Sequence, residues 1–507
     1  MNIKRVKDEI KNTIQAYLLK DAYGEYKIPT VRQRPIFLIG PPGIGKTAIM
    51  EQVARECNIG LVSYTITHHT RQSAIGLPLI EKKDFGGKEY SITEYTMSEI
   101  IASVYNKIEE TKLTEGILFI DEINCVSETL APTMLQFLQG KSFGSHKVPK
   151  GWIIVAAGNP PEYNKSVREF DIVTLDRVKK IDVSVDFSVW KEYAYKQGIH
   201  GAILSYLEIK KENFYVIETT IDGARFVTAR GWEDLSNIIL VYEELNLTID
   251  EEVIYQYIQH ERVAKDFANY LDLYYKYQSD YQMEEILKGN ISPMAKEKLQ
   301  DAPFDEKLSV VGLLLSKLSE HFYKAYTIDL YVTELFGVLK KIQSQLLNPN
   351  VTPIEILTDI ISKRETEFEE KKVAGLLDRN KEECYRHVIK TLEEYGQMIK
   401  EEGIRKNEEA MESIRSRFNK IVDDRKSQID EAKAMLESGF DFMEQVFAES
   451  AEMVVFVTEL TANYYSMKFI SDNGSDSYYK YSRGLLFHET ERDIRKEIEQ
   501  VRSIMES

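Results

Sequence analysis

Gly40-Pro41-Pro42-Gly43-Ile44-Gly45-Lys46-Thr47 is the stretch on which the reading of the chain turns. It has the spacing G-x-x-x-x-G-K-[ST]. The apolar run Pro35-Ile36-Phe37-Leu38-Ile39 enters it as a buried strand would, and Ala48 to Cys57 leaves it with a helical pattern. A glycine-rich turn alone is a weak signal; strand, loop and helix in this order are what a phosphate loop requires. The glycines let backbone N–H groups curl around a β-phosphate at the positive end of the following helix. Lys46 would reach the β- and γ-phosphates, and the Thr47 hydroxyl would complete the coordination of Mg²⁺. The loop, with Ala48 behind it, is expected to hold a nucleoside triphosphate.

Working outward, Ile117-Leu118-Phe119-Ile120-Asp121-Glu122 is a second anchor: four apolar residues of a strand buried on both faces, ending in two carboxylates. Nucleotide sites form at the carboxyl ends of such strands. Asp121 would hold Mg²⁺, directly or through water, and Glu122 would polarise an attacking water. A third buried strand, Trp152-Ile153-Ile154-Val155-Ala156-Ala157, ends at Gly158-Asn159, where an Asn can hydrogen-bond both the γ-phosphate and that water. Leu175-Asp176-Arg177-Val178 follows, before the strand-like Lys180-Ile181-Asp182-Val183. An Arg at that edge faces its own nucleotide, a neighbour's, or only a surface acid.

The elements between these anchors give the fold class. Residues 2–20 read as an amphipathic helix with Ile3, Val6, Ile10, Ile14, Tyr17 and Leu18 on one stripe, and Leu61 to Ile66 is β-branched and strand-like. Strand and helix alternating in this way predict a doubly wound parallel α/β sheet. Two short runs around the glycine turn of residues 82–88 predict a hairpin, either a surface loop or a substrate-facing insertion. Phe143 to Pro149 predicts a smaller one, in which His146 is a solvated loop histidine.

From Asp186 the alternation stops. Segments 188–209, 232–245 and much of 251–288 have helical patterns, and Thr228-Ala229-Arg230-Gly231-Trp232 sets an Arg just before a helix. After Pro353 the chain has no proline, and Glu/Lys runs interleaved with Ile, Leu, Phe and Met predict long helices without a sustained heptad. Ser471 to Ser477 reads as a flexible turn between helices. The expected division is a nucleotide-binding domain over 1–185, a helical lid and following helices over 186–310, and an all-helical accessory or partner-docking region over 311–507.

Composition sets bounds on the rest. The chain has 507 residues, 43% of them hydrophobic, enough for large cores. A net charge of −17 argues against a sequence-independent grip on nucleic acid. Three widely spaced cysteines, Cys57, Cys125 and Cys384, suggest neither a disulfide framework nor a zinc site and fit a reducing compartment. The charged start Met1 to Lys11 lacks a signal-peptide core, and no run of 18 apolar residues offers a membrane span. The expected location is the cytoplasm.

Taken together, residues 1–310 resemble an AAA+ ATPase of the MoxR / dynein-related group, in the clade carrying a helix-2 insert. On that resemblance Gly40–Thr47 is Walker A, Ile117–Glu122 is Walker B, Asn159 is sensor 1, Arg177 is the arginine finger and Arg230 is sensor 2. The run 77–95 falls at the helix-2 insert and 140–151 at the pre-sensor-1 hairpin. Ala229 departs from the family, which commonly has Pro before the sensor 2 Arg. Arg168 and Arg230 are the alternatives for the finger. The resemblance implies an ATP- and Mg²⁺-dependent hydrolase in a homo-oligomeric, hexameric ring that remodels or matures a protein client in chaperone fashion, often with a partner carrying a von Willebrand A domain. Two other functions compete. One is a nucleic-acid-stimulated motor, which the acidic balance disfavours; the other is the ATPase subunit of a metal-chelatase-type complex. A GTPase is disfavoured by the lack of an Asn-Lys-x-Asp motif, and a binding-only switch by the presence of Glu122.

Overall fold

The computed structural model describes residues 1–68, 74–163, 170–220, 223–348, 350–448 and 450–484. It divides into two units. One comprises Met1–Val189 with Ile361–Ile389, the other Trp190–Ile360 with the chain from Lys390 onward.

Among its described residues the first unit has nine short strands. Along the chain they are β1 (Ile36–Ile39), β2 (Gly60–Thr65), β3 (Pro78–Asp84), β4 (Glu89–Tyr95), β5 (Gly116–Asp121), β6 (Ser142–Phe143), β7 (His146–Lys147), β8 (Trp152–Gly158) and β9 (Lys179–Asp182). Five of them form one sheet in the order β2-β5-β8-β1-β9. Every pairing in it is parallel, with Thr65 opposite Asp121, Ile120 opposite Ala156, and Ile39 between Gly158 and Asp182. The expected doubly wound α/β core is present, and the phosphate loop leaves the strand flanked by β8 and β9.

Both faces of this sheet are covered, which explains the continuous apolar runs. Ile36, Leu38, Ile117, Phe119, Ile153 and Val155 point to one side, against Val6, Ile10 and Ile14 of α1 (Ile3–Leu18) and Ile49, Met50 and Val53 of α2 (Lys46–Cys57). Phe37, Leu118, Ile120, Ile154 and Ala156 point to the other, against Ile100, Ile101 and Val104 of α3 (Glu99–Thr111) and Met134, Phe137 and Leu138 of α4 (Ala131–Gly140). Each such aliphatic or aromatic side chain contributes about 1.5–3 kcal/mol by leaving water. The predicted stripe of α1 is the buried one, and Asn2 starts that helix by accepting from the Arg5 N–H at 3.0 Å.

The second unit is almost wholly helical. Its longest helices, Phe304–Leu346 and Asn407–Phe447, run 43 and 41 residues, as a proline-free, charge-interleaved sequence permits. Tyr206, Trp232, Phe267 and Tyr270 form an aromatic cluster in its first part, with Phe267 meeting Tyr206 and Trp232 edge to face. One element that the sequence reading does not contain is the antiparallel hairpin β10 (Val216–Thr220) and β11 (Gly223–Val227). The break near residue 474 is also less loose than its composition suggests. Ser475 is buried and donates to Glu437 at 2.8 Å, with Ser477 bonded to the same carboxylate, so the turn is tied to the long helix beside it. No helix among the described residues is long and apolar enough to cross a membrane.

Candidate functional site

The site is assembled where β1, β5 and β8 end. Ile39 gives way to the loop of residues 40–45, and α2 begins at Lys46. Gly45 caps that helix with φ +91°, a left-handed backbone that glycine adopts without a Cβ penalty. The loop is anchored to the sheet by the Gly40 N–H, which donates to Gly158 O at 3.3 Å.

Lys46 is buried, 8% exposed. Its ammonium donates to Gly40 O and Pro41 O, each at 2.8 Å, and to Asn159 Oδ1 at 3.0 Å. The lysine is thus folded over its own loop, with the Asn at the end of β8 on its other side. Thr47 Oγ1 donates to Asp121 Oδ2 at 3.1 Å, joining the first turn of α2 to the last residue of β5. A hydroxyl and a carboxylate are hard oxygen donors, and side by side at a helix N-terminus they suit Mg²⁺, which takes few protein ligands and keeps its waters. Thr47 and Asp121 fit that ion.

Glu122 follows Asp121 in a left-handed conformation, φ +57°, and its N–H is taken by Asp121 Oδ1 at 2.9 Å. For a residue with a Cβ this backbone costs about 1–2 kcal/mol. Such strain gathers at functional sites, and here it turns the carboxylate out of line with β5. Thr67, two residues past the end of β2, donates to Glu122 Oε2 at 2.9 Å. Asn124, in the short turn Ile123–Cys125, donates from Nδ2 to Asn159 O at 2.7 Å. Sequence reading missed both. Thr67 could have been reached from the strand order, since β2 and β5 are neighbours. Asn124 could have been reached as a polar side chain two places beyond the acidic pair, where the chain turns back under the sheet. Burial, helped by Glu122 and Asp121, pushes the Cys125 thiol up, which disfavours the nucleophilic thiolate.

Arg177 and Arg230 are the remaining candidates. Arg177 follows α5 (Ile172–Leu175), is exposed, and its guanidinium meets Gln139 Oε1 of α4. Arg230 belongs to the second unit, on the first turn of Ala229–Leu245, and is exposed. Thr228 starts that helix by accepting from the Gly231 N–H at 3.2 Å, so the helix forms with Ala229 where the family commonly has Pro. Arg168 lies outside the described residues.

Two hairpins stand near this unit's sheet. The β3–β4 hairpin is exposed along nearly its whole length, and Leu79, Ile80, Phe85, Tyr90 and Tyr95 present large apolar surfaces to solvent. The β6–β7 hairpin meets its base: His146 Nε2 lies 3.0 Å from Tyr95 O, so this histidine is held against the longer hairpin and is not simply solvated.

A parallel sheet with a glycine-rich loop before α2, a Thr–Asp pair and an acidic turn defines a P-loop nucleoside-triphosphatase core. Residues 36–175 match the model of the ATPase family associated with various cellular activities (AAA), so the chain carries an ATPase domain of the AAA+ type. A search of curated proteins found no match.

Proposed function

We propose that the chain is an ATP-hydrolysing ring ATPase of the MoxR-like kind, which remodels or matures a partner protein. Within this reading residues 1–185 are the motor domain, 186–310 its lid, and 311–507 an accessory region for docking partners. The loop from Gly40 to Thr47, with Ala48, holds ATP. Lys46 exchanges its loop carbonyls for phosphate oxygens, and Asn159, already on Lys46, orients the γ-phosphate and the water. Glu122 accepts that water's proton. Bound through Thr47 and Asp121, Mg²⁺ would draw negative charge from the phosphate oxygens. Arg177 and Arg230 serve the developing γ-phosphate charge, Arg177 from a neighbouring copy, where the exposed Ile172 and Val173 beside it would be covered.

The observation that carries the remodelling part is the contact between the two hairpins. Residues 78–95 and 142–147 are more chain than the sheet needs, and they meet at His146 and Tyr95, giving a projecting surface beside the motor with the exposed Ile80 and Tyr95 on one face of the longer hairpin. A client would engage that face, and we propose as client or co-worker a von Willebrand A domain protein in the cytoplasm. The test separates binding from turnover. Lys46→Ala should abolish ATP binding, while Glu122→Gln should keep binding and lose hydrolysis by a factor of about 10²–10⁴, the worth of a positioned base. Wild-type turnover in Glu122→Gln would overturn the assignment. The Glu122→Gln protein, held ATP-bound, is also the bait for capturing the client.

A further inference from the structure

We infer that Asn124 is a positioning residue for ATP hydrolysis: it fixes the end of β8 so that Asn159 meets the phosphates, and it ties that end to the turn carrying Glu122. The inference rests on the reading of Lys46, Asp121, Glu122 and Asn159 as an ATPase site.

Asn124 is 4% exposed and lies in the short turn that Glu122 opens. A buried side-chain amide needs partners, and this one gives its Nδ2 to Asn159 O at 2.7 Å. Its amide also lies flat against Gly158. A Cβ on Gly158 would come 2.4 Å from Asn124 Oδ1 and 2.6 Å from Cγ, closer than any side chain tolerates. The Gly158 carbonyl in turn receives the N–H of Gly40, at the start of the phosphate loop. On its side-chain end Asn159 receives Lys46 at 3.0 Å. One continuous run of contacts therefore leads from the Glu122 turn through Asn124 and the Gly158–Asn159 backbone to Lys46. Glu122 and Asn159 follow the ends of different strands, β5 and β8, and Asn124 sets their separation.

The residue type follows from the contact. Leu would fill the same space but leave Asn159 O without its donor. Asp would keep the shape and turn an acceptor toward that carbonyl. Because Asn124 acts on the backbone of Asn159 and not on ATP, its loss should slow the chemical step and spare binding.

The test uses the full chain and the isosteric Asn124→Asp substitution. Its kcat should fall about 10–100-fold, as for a small misplacement of a reacting group. Affinity for a non-hydrolysable ATP analogue should stay within about threefold of wild type, a change under 1 kcal/mol. In an Asn159→Ala background the same substitution should cost clearly less than in the wild-type chain, since the part of its effect that runs through the Asn159 side chain is already gone. A merely structural role would instead lower the melting temperature, with losses multiplying in the double variant. Gly158→Ala pushes the same amide from the opposite side and should reproduce the kcat loss; it also serves if Asn124→Asp fails to fold. Unchanged kcat, multiplying losses, or a loss confined to analogue binding would each overturn the inference. A wild-type chain that binds the analogue yet turns over no ATP would sink the ATPase reading itself and this inference with it.

Discussion

Lys141 shows how far a single residue can be pushed by its surroundings. It ends α4 with a left-handed backbone, φ +53°, its N–H on Phe137 O at 2.7 Å, and its side chain runs inward to Thr30 O at 2.8 Å. Only 9% of it is exposed, and burial pushes its pKa down to about 8. Below that pH both folded and unfolded chains carry the proton, and the cost of the buried cation is paid in full. Between about 8 and the ordinary lysine value the unfolded chain binds more protons than the folded one, so stability rises with pH across that window. Lys141→Met should flatten this rise and raise stability at pH 7, because Gln33 N–H still covers Thr30 O. Urea midpoints at pH 7 and 9.5 check it; an unchanged slope would mean the amine is not titrating there. The residues of the site divide by the same logic of locality. Lys46, Thr47, Asp121 and Glu122 were legible because fixed spacing along one loop or strand end brings them together. Thr67 and Asn124 were not, because their partners come from other strands, 55 and 35 positions away along the chain.

Among the elements, the buried strands β1, β5 and β8 announced themselves as uninterrupted apolar runs, and β3–β4 by its glycine turn. The hairpin β10–β11 did not: Val216–Thr220 and Gly223–Val227 are short, half exposed and set among helices, so neither periodicity nor burial marks them. The β3–β4 hairpin makes its own prediction. Lys82 pairs with Glu89 across its tip at 3.2 Å, and its side chains hold no part of the sheet's core. Replacing residues 82–88 with a short Gly-Ser linker should leave basal ATP turnover largely intact and impair remodelling of the captured client. Collapse of basal turnover would instead assign these residues a structural task. In the second unit, three helices are pinned by one buried charge cluster. Lys191 on Phe187–Gln197 meets Glu208 on Gly201–Ile209 at 2.7 Å and Glu459 on Ala451–Ala462 at 2.5 Å, and the Tyr195 hydroxyl donates to Glu459 at 2.6 Å. Burial works against the Lys191 ammonium, but Glu459 and Glu208 outweigh it and raise its pKa. Breaking such a buried pair is costly. Glu459→Gln should destabilise the chain by about 3 kcal/mol in chemical denaturation; a loss under about 0.5 kcal/mol, the level of an exposed pair, would refute the cluster's role.

At the scale of the whole molecule, the −17 charge counts against a sequence-independent grip on nucleic acid, and the proposed ring would set the exposed Arg177 against a neighbouring copy. A cation supplied by a neighbour can be worth on the order of 10³–10⁵ in rate. Turnover should therefore rise with protein concentration as rings form. Arg177→Ala protein mixed with Lys46→Ala protein, each inactive alone, should recover activity, because an intact Arg177 from the second can face an intact ATP site in the first. Mixed rings demonstrated by light scattering but without activity would move the finger to another residue, with Arg230 and Arg168 next in line.

The long hairpin is clasped at its root. Gly76, at φ +104°, passes so close to Thr96 that a Cβ would lie 2.1 Å from its carbonyl oxygen; Leu77 and Thr96 exchange backbone and hydroxyl hydrogen bonds of 2.9 Å; and Ser98 reaches back to Ala74 O. Chain enters and leaves the insertion through this one gate, so whatever lies beyond it can lengthen, shorten or change sequence without the sheet registering the difference. The same gate makes residues 78–94 a transplantable cartridge for engineers, provided that the graft's host keeps Gly76, Leu77, Thr96 and Ser98 at its root.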